Sequence, residues 1–118
     1  MGRKHISVVV TGRAEEEDVN LVLDTYHGMF GIKRVVELGD PWAGLYARLW
    51  AENHDVEVTT VREATPVKTA VAALKRRISA VVAFPLSNPT LVDRATRVGV
   101  QVCGVEIRET GSGRGKAD

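Results

Sequence analysis

Five short runs rich in β-branched residues alternate along the chain with four stretches whose apolar residues recur at helical spacing, and few architectures accept that order. The runs are Ile6–Thr11, Lys33–Leu38, Val56–Val61, Ser79–Phe84 and Val100–Ile107. The first and fourth are nearly continuous apolar sequences, as strands covered on both faces require, whereas the third and fifth alternate and suit sheet edges. Strands separated from one another by helices and short connections pair in parallel through right-handed crossovers. With the first and fourth runs as the central pair, the sequence predicts an α/β fold. It is a three-layer Rossmann-like sandwich whose five-stranded, mainly parallel sheet has the order 3-2-1-4-5 and carries four helices.

The helical stretches carry their own start and stop signals. Val19, Val22, Leu23, Tyr26, Met29 and Phe30 form the first stripe, behind Glu15 to Asp18, whose charges suit the positive end of a helix, and Gly31 stops it. The second starts after Pro41 and places Trp42, Leu45, Tyr46, Leu49, Trp50 and Asn53 on one face. In the third, Val67, Ala70, Val71, Leu74 and Ile78 follow Pro66, with Lys75, Arg76 and Arg77 in the last turn. The fourth opens at Asn88-Pro89, a cap followed by proline at the first helical position, buries Leu91, Val92, Ala95 and Val98, and ends at Gly99.

Composition then restricts what such a fold can do. At 118 residues, with 44% hydrophobic and 26% charged side chains, the chain provides one soluble domain, read as residues 1–109, and a Gly-rich tail, 110–118. A formal net charge of +1 supplies no bulk field toward nucleic acid or anionic lipid, so a partner is recognised locally. Cys103 is the only cysteine, and the three histidines lie far apart, so neither a disulfide nor a metal site is expected. The start, MGRKH and a brief apolar run, is too short for a signal-peptide core, and no stretch reaches the roughly 20 apolar residues of a membrane span. A reducing cytoplasm is the expected compartment.

In open parallel sheets ligands sit beyond the carboxyl ends of the strands, at the point where the strand order reverses. After the first run stand Gly12 and Arg13; the glycine permits a tight turn, and the arginine reads either as an anchor for phosphate or carboxylate or as a surface partner of the acidic turn. No GxGxxG fingerprint is present, and no cofactor is expected. After the second run stand Gly39, Asp40 and Trp42. Asp40 reads either as an acceptor for ribose hydroxyls or as a helix cap, and Trp42 either as a base-stacking platform or, since it shares a stripe with Leu45 and Leu49, as core. After the fourth run, Ser87, Asn88 and Thr90 lead into a helix N-terminus, an arrangement that suits a phosphate, although Asn88 as a cap explains the same sequence.

Groups for covalent or acid–base chemistry are few. Cys103 reads as a core thiol, and His5, His27 and His54 as solvated residues at element edges. Asp40, Glu37 and Asp93 are the candidate acids or bases, with Asp40 alone placed at the ligand end of the sheet.

The sequence VVVTGR near the start, Trp50-Ala51 before the third run, Ala80 to Pro85 (AVVAFP) leading into a helix, and RATRVGVQV thereafter resemble the YspA-like branch of the SLOG superfamily over residues 6–107. These are small Rossmann-like domains related to the lonely-guy phosphoribohydrolases and the DprA core. The resemblance implies a nucleotide or nucleotide-derived ligand and a homodimer formed through helices, for which Tyr46 and Trp50 offer aromatic area. The ligand motifs depart from the family pattern. Arg13 follows Gly12 where a second glycine is usual, Gly39 to Gly44 replaces a Gly-Gly-Ala-x-Gly-Ala-Asp stretch, and Leu86 to Thr90 replaces a glycine-rich loop.

Three functions are therefore expected in turn. The first is non-catalytic binding of a nucleotide-like or phosphorylated ligand in the switch-point crevice by Gly12, Arg13, Gly39, Asp40, Ser87, Asn88 and Thr90. The second is a protein-interaction module, from a phage or mobile element, with Leu86 and Trp42 filling the crevice and a protein partner in place of the ligand. The third is N-glycosidic hydrolysis with Asp40 as the only catalytic candidate.

Overall fold

The computed structural model describes residues 5–105. Strands β1 (Ile6–Thr11), β2 (Ile32–Glu37), β3 (Glu57–Thr60), β4 (Ala80–Ala83) and β5 (Gln101–Gly104) alternate with helices α1 (Glu16–Phe30), α2 (Ala43–Asn53), α3 (Pro66–Leu74) and α4 (Pro89–Arg97). The sheet has the order β3-β2-β1-β4-β5, and every pairing is parallel. The expected fold is thus the observed one. Strand ends shift by a residue or two from the sequence reading, and the expected end of the fifth run at Ile107 and the tail 110–118 lie outside the described residues.

Side-chain alternation along β1 divides the core into two layers. Val8 and Val10 face α1 and α2 together with Val35, Val82, Leu23, Trp50 and Phe84. Val9 faces α3 and α4 with Val36, Val81, Leu91 and Ala95. Each buried valine contributes about 1.5–3 kcal/mol relative to leaving it in water, before chain entropy is counted. Because β1 and β4 are covered on both sides, they occupy the centre, while β3 and β5 have exposed ends and form the edges.

Several faces differ from the expected ones. In α2 the buried residues are Ala43, Gly44, Ala47, Trp50 and Ala51, because small side chains let the helix lie close to the sheet. The Leu45 and Leu49 stripe is rotated outward, and Trp42 is 41% exposed, which excludes the core alternative for it. Trp50 is only 2% exposed, so it offers no dimer surface. Val67 and Val98 are exposed rather than buried, and α3 ends at Leu74, leaving Lys75 to Arg77 beyond its last turn. Cys103 is half-buried on an edge strand instead of enclosed in the core.

Two histidines are also more engaged than expected. His27 Nδ1 accepts the Ile32 N–H at 2.9 Å where α1 turns into β2, and the His27 ring meets Trp50 edge-on. His54 stacks on Trp50 with centroids 4.2 Å apart, and the Trp50 indole N–H donates to Asp24 at 2.9 Å. His5 is exposed, as expected. Among the described residues no helix is long and apolar enough to cross a membrane.

Candidate functional site

The loops after β1 and β4 are tied together by backbone. Phe84 N–H donates to the Thr11 carbonyl at 2.9 Å, Arg13 N–H to the Pro85 carbonyl at 2.7 Å, and Asn88 N–H to Thr11 Oγ1 at 3.4 Å. Gly12 lies between them with φ +111°, a conformation that favours glycine, and its carbonyl accepts from Ala43 N–H at the start of α2. Three loops therefore meet over the carboxyl end of β1, where the strand order reverses.

They border an open cavity of about 570 Å³. Of the expected ligand residues, Gly12, Arg13, Asp40, Ser87 and Asn88 line it. Gly39 and Thr90 do not. Gly39 has φ +78° and supports the turn from behind, donating its N–H to the buried Glu37 carboxylate at 2.6 Å. Thr90 faces away, and its N–H is taken by Asn88 Oδ1 at 3.0 Å.

Arg13 is exposed, with its guanidinium carbon 4.4 Å from the centroid of the Trp42 ring. Such a cation–π contact is worth about 0.5–1 kcal/mol at an exposed site. Among the described residues Arg13 makes no ion pair with the acidic turn of α1. Trp42 thus stands at the cavity wall with Arg13 over its ring.

Asp40 caps α2. Its Oδ1 accepts from the N–H groups of Trp42 at 2.9 Å and Gly44 at 2.8 Å. Burial pushes the Asp40 carboxyl above the usual range; the two N–H donors pull it back in part, and the nearby Glu37 charge pushes it up further. Glu37, placed away from the site by sequence reading, ends β2 at the carboxyl edge and is buried. Its oxygens are occupied by Gly39 N–H and the Thr60 hydroxyl, so it fastens the turn and does not reach the cavity. Asp93 lies on α4, ion-paired to Arg97 at 3.2 Å, and is absent from the cavity lining.

The helix starts around the cavity are filled by the protein's own acceptors. Asn88 Oδ1 takes the N–H groups of Thr90 and Leu91, Pro89 has none, and Thr65 Oγ1 takes that of Lys68 at the start of α3. With Asp40 on α2, the amides that would cradle a phosphate at α2 and α4 are already engaged. Cationic groups come instead from side chains: Arg13, and Arg62 from the loop after β3.

That loop was the missing part. Arg62, Glu63, Thr65 and Pro66 supply a whole wall, and Arg62 Nη1 lies 3.5 Å from the Gly39 carbonyl. The same rule that selects residues after strands 1, 2 and 4 applies after strand 3, and Arg62-Glu63 is the signal it would have found. Leu86 stands at the rim, 81% exposed with φ +62°, so neither it nor Trp42 plugs the crevice. Among the described residues no three His, Cys, Asp or Glu side chains are grouped to hold a metal. The chain matches no family model, no curated protein and no solved structure.

Proposed function

We propose that this domain binds a small nucleotide-like ligand in the switch-point cavity without transforming it. One observation carries the reading: an open space of about 570 Å³ whose lining includes two guanidinium groups, Arg13 and Arg62, and an aromatic ring, Trp42, with Arg13 stacked over it. The guanidiniums suit a phosphate or carboxylate through paired N–H donors, and Trp42 suits a planar ring. Because the neighbouring helix-start amides are engaged, the anion is held by side chains, which is consistent with the departure from the glycine-rich SLOG loops. Asp40 would meet hydroxyl groups with the oxygen its own cap leaves free. Its engagement as a cap, one oxygen accepting from two backbone N–H groups, favours binding over N-glycosidic hydrolysis.

Calorimetry against nucleoside monophosphates, cyclic nucleotides and ADP-ribose tests this. The expected result is saturable binding of at least one of them, lost in Arg13→Ala and in Arg62→Ala while both variants keep the wild-type circular dichroism spectrum. No binding by the wild type would remove the proposal. A second reading, a protein-interaction module, draws on Leu86, an apolar side chain held outward in a left-handed conformation at the cavity rim. Capture of a single stoichiometric protein, abolished by Leu86→Asp and indifferent to nucleotides, would favour that reading instead.

A further inference from the structure

The near-zero net charge conceals two oppositely charged faces. Helices α1 and α2, on one side of the sheet, carry Glu16, Glu17, Asp18, Asp24 and Glu52 against one fully charged cation, Arg48. On the other side, α3, α4 and the turn after α3 carry Lys68, Lys75, Arg76, Arg77, Arg94 and Arg97 against one acid, Asp93. All six of those cations are exposed.

Each face also exposes apolar side chains among its charges. On the acidic face Leu21 and Met29 project from α1 and Leu49 from α2; Leu21 lies one turn from Glu17, and Leu49 one turn from Glu52. On the basic face a groove of about 480 Å³ beside α4 is lined by Val67 and Val98 together with Arg94, Arg97 and Asp93, the last paired to Arg97 at 3.2 Å. Exposed apolar residues among carboxylates on one side thus have a counterpart on the other, a groove that combines two valines with a net excess of guanidiniums.

We propose that these faces bind one another between copies, the α1–α2 face of one copy seating on the α3–α4 face of the next. A two-fold dimer through helices would set acid against acid or base against base, which opposes association. Because the complementary surfaces lie on opposite sides of the sheet, one contact leaves an acidic and a basic face free. The assembly is then head-to-tail and open, growing with concentration.

Light scattering and sedimentation across protein concentration test the assembly at two salt levels, where the screening length falls from about 30 Å at 0.01 M to about 3 Å at 1 M. The wild type is expected to show a weight-average mass that rises severalfold with concentration at low salt and returns to monomer at high salt. Glu17→Lys/Glu52→Lys and Arg94→Glu/Arg97→Glu change exposed positions only, and each variant alone is expected to remain a monomer. Mixed in equal amounts, they are expected to associate, because one presents a basic face where the other presents an acidic one. A wild type that stays monomeric at low salt, or a dimer indifferent to 1 M salt, overturns the proposal. So does capture of a single-stranded oligonucleotide by the basic face with no self-association. None of these readouts depends on the cavity ligand.

Discussion

A Cβ on Gly12 would stand 2.4 Å from the Phe84 carbonyl oxygen, so the loop after β1 rests against the end of β4 with no room for a side chain. The obstacle is backbone, which cannot swing aside, and φ at this position is +111°. Gly12→Ala must therefore distort the junction that shapes the cavity. Strain of roughly 1–2 kcal/mol from the conformation and roughly 1–3 kcal/mol from overpacking give an expected loss of about 3 kcal/mol in urea unfolding. Loss of less than about 1 kcal/mol would mean that the loop has an alternative path.

Asn88 performs two tasks with one side chain. Its Oδ1 accepts from Thr90 and Leu91 at the start of α4, and its Nδ2 donates to the Pro66 carbonyl at 3.2 Å, joining α4 to α3 across the cavity. Asn88→Ala is expected to cost about 1 kcal/mol for the cap alone. Asn88→Asp keeps the acceptor and adds a favourable charge at a helix N-terminus, but forfeits the donor to Pro66. Denaturant midpoints should rank wild type and Asp together above Ala; equal midpoints for all three would show that the cap contributes nothing.

Asp40 carries a pH signature. Its carboxyl is raised in the folded protein by burial, so at a pH just above the ordinary Asp value of 3.8 the folded state keeps a proton that the unfolded chain has released. This contribution is fully present below 3.8 and is lost as pH rises through the raised folded value. Asp40→Asn retains an oxygen for the Trp42 and Gly44 N–H groups and cannot ionise. Its stability relative to wild type is expected to improve as pH rises from about 3 to 7, measured as urea midpoints at each pH. Asp40→Ala, which also cannot ionise, should lose about 1 kcal/mol more than Asp40→Asn at every pH because it lacks the cap oxygen, while its difference from wild type follows the same trend with pH. An Asn variant whose difference from wild type is flat with pH would show that Asp40 titrates alike in both states.

These predictions separate what the chain displays locally from what only assembly reveals. The central strands were legible because strands buried on both sides need continuous apolar runs, as in Val8 to Val10 and Ala80 to Ala83. Asn88 as a cap was legible because its geometry depends on the next three residues alone. The buried face of α2 was not: Leu45 and Leu49 dominate any hydrophobic stripe, yet the sheet selects Ala43, Ala47 and Ala51 because their size permits close approach. Rotating the helix that way turns Trp42 outward onto the cavity wall. No glycine or motif marks Arg62 in the sequence, and its place in the site depends on loops more than 20 residues apart converging. Thr90 stands at a helix start, where an amide suits an anion, but that amide donates to Asn88 Oδ1.

Glu37 offers the strictest test of how the site is fastened. It is a buried carboxylate at the end of β2 that accepts from Gly39 in the next turn and from the Thr60 hydroxyl on the neighbouring strand. Removing it leaves the Gly39 N–H and the Thr60 hydroxyl without this acceptor. Glu37→Ala is expected to cost about 2–3 kcal/mol, and Thr60→Val about 1 kcal/mol. Since both variants break the same contact, the double variant should lose less than the sum, with a coupling of about 1 kcal/mol. Strict additivity would mean that the hydroxyl contributes nothing to holding Glu37. Because Gly39 backs the turn bearing Asp40 and contacts Arg62, Glu37→Ala should also weaken ligand binding under conditions where the variant is fully folded. Thr60→Val, which leaves the Gly39 contact in place, should weaken it less.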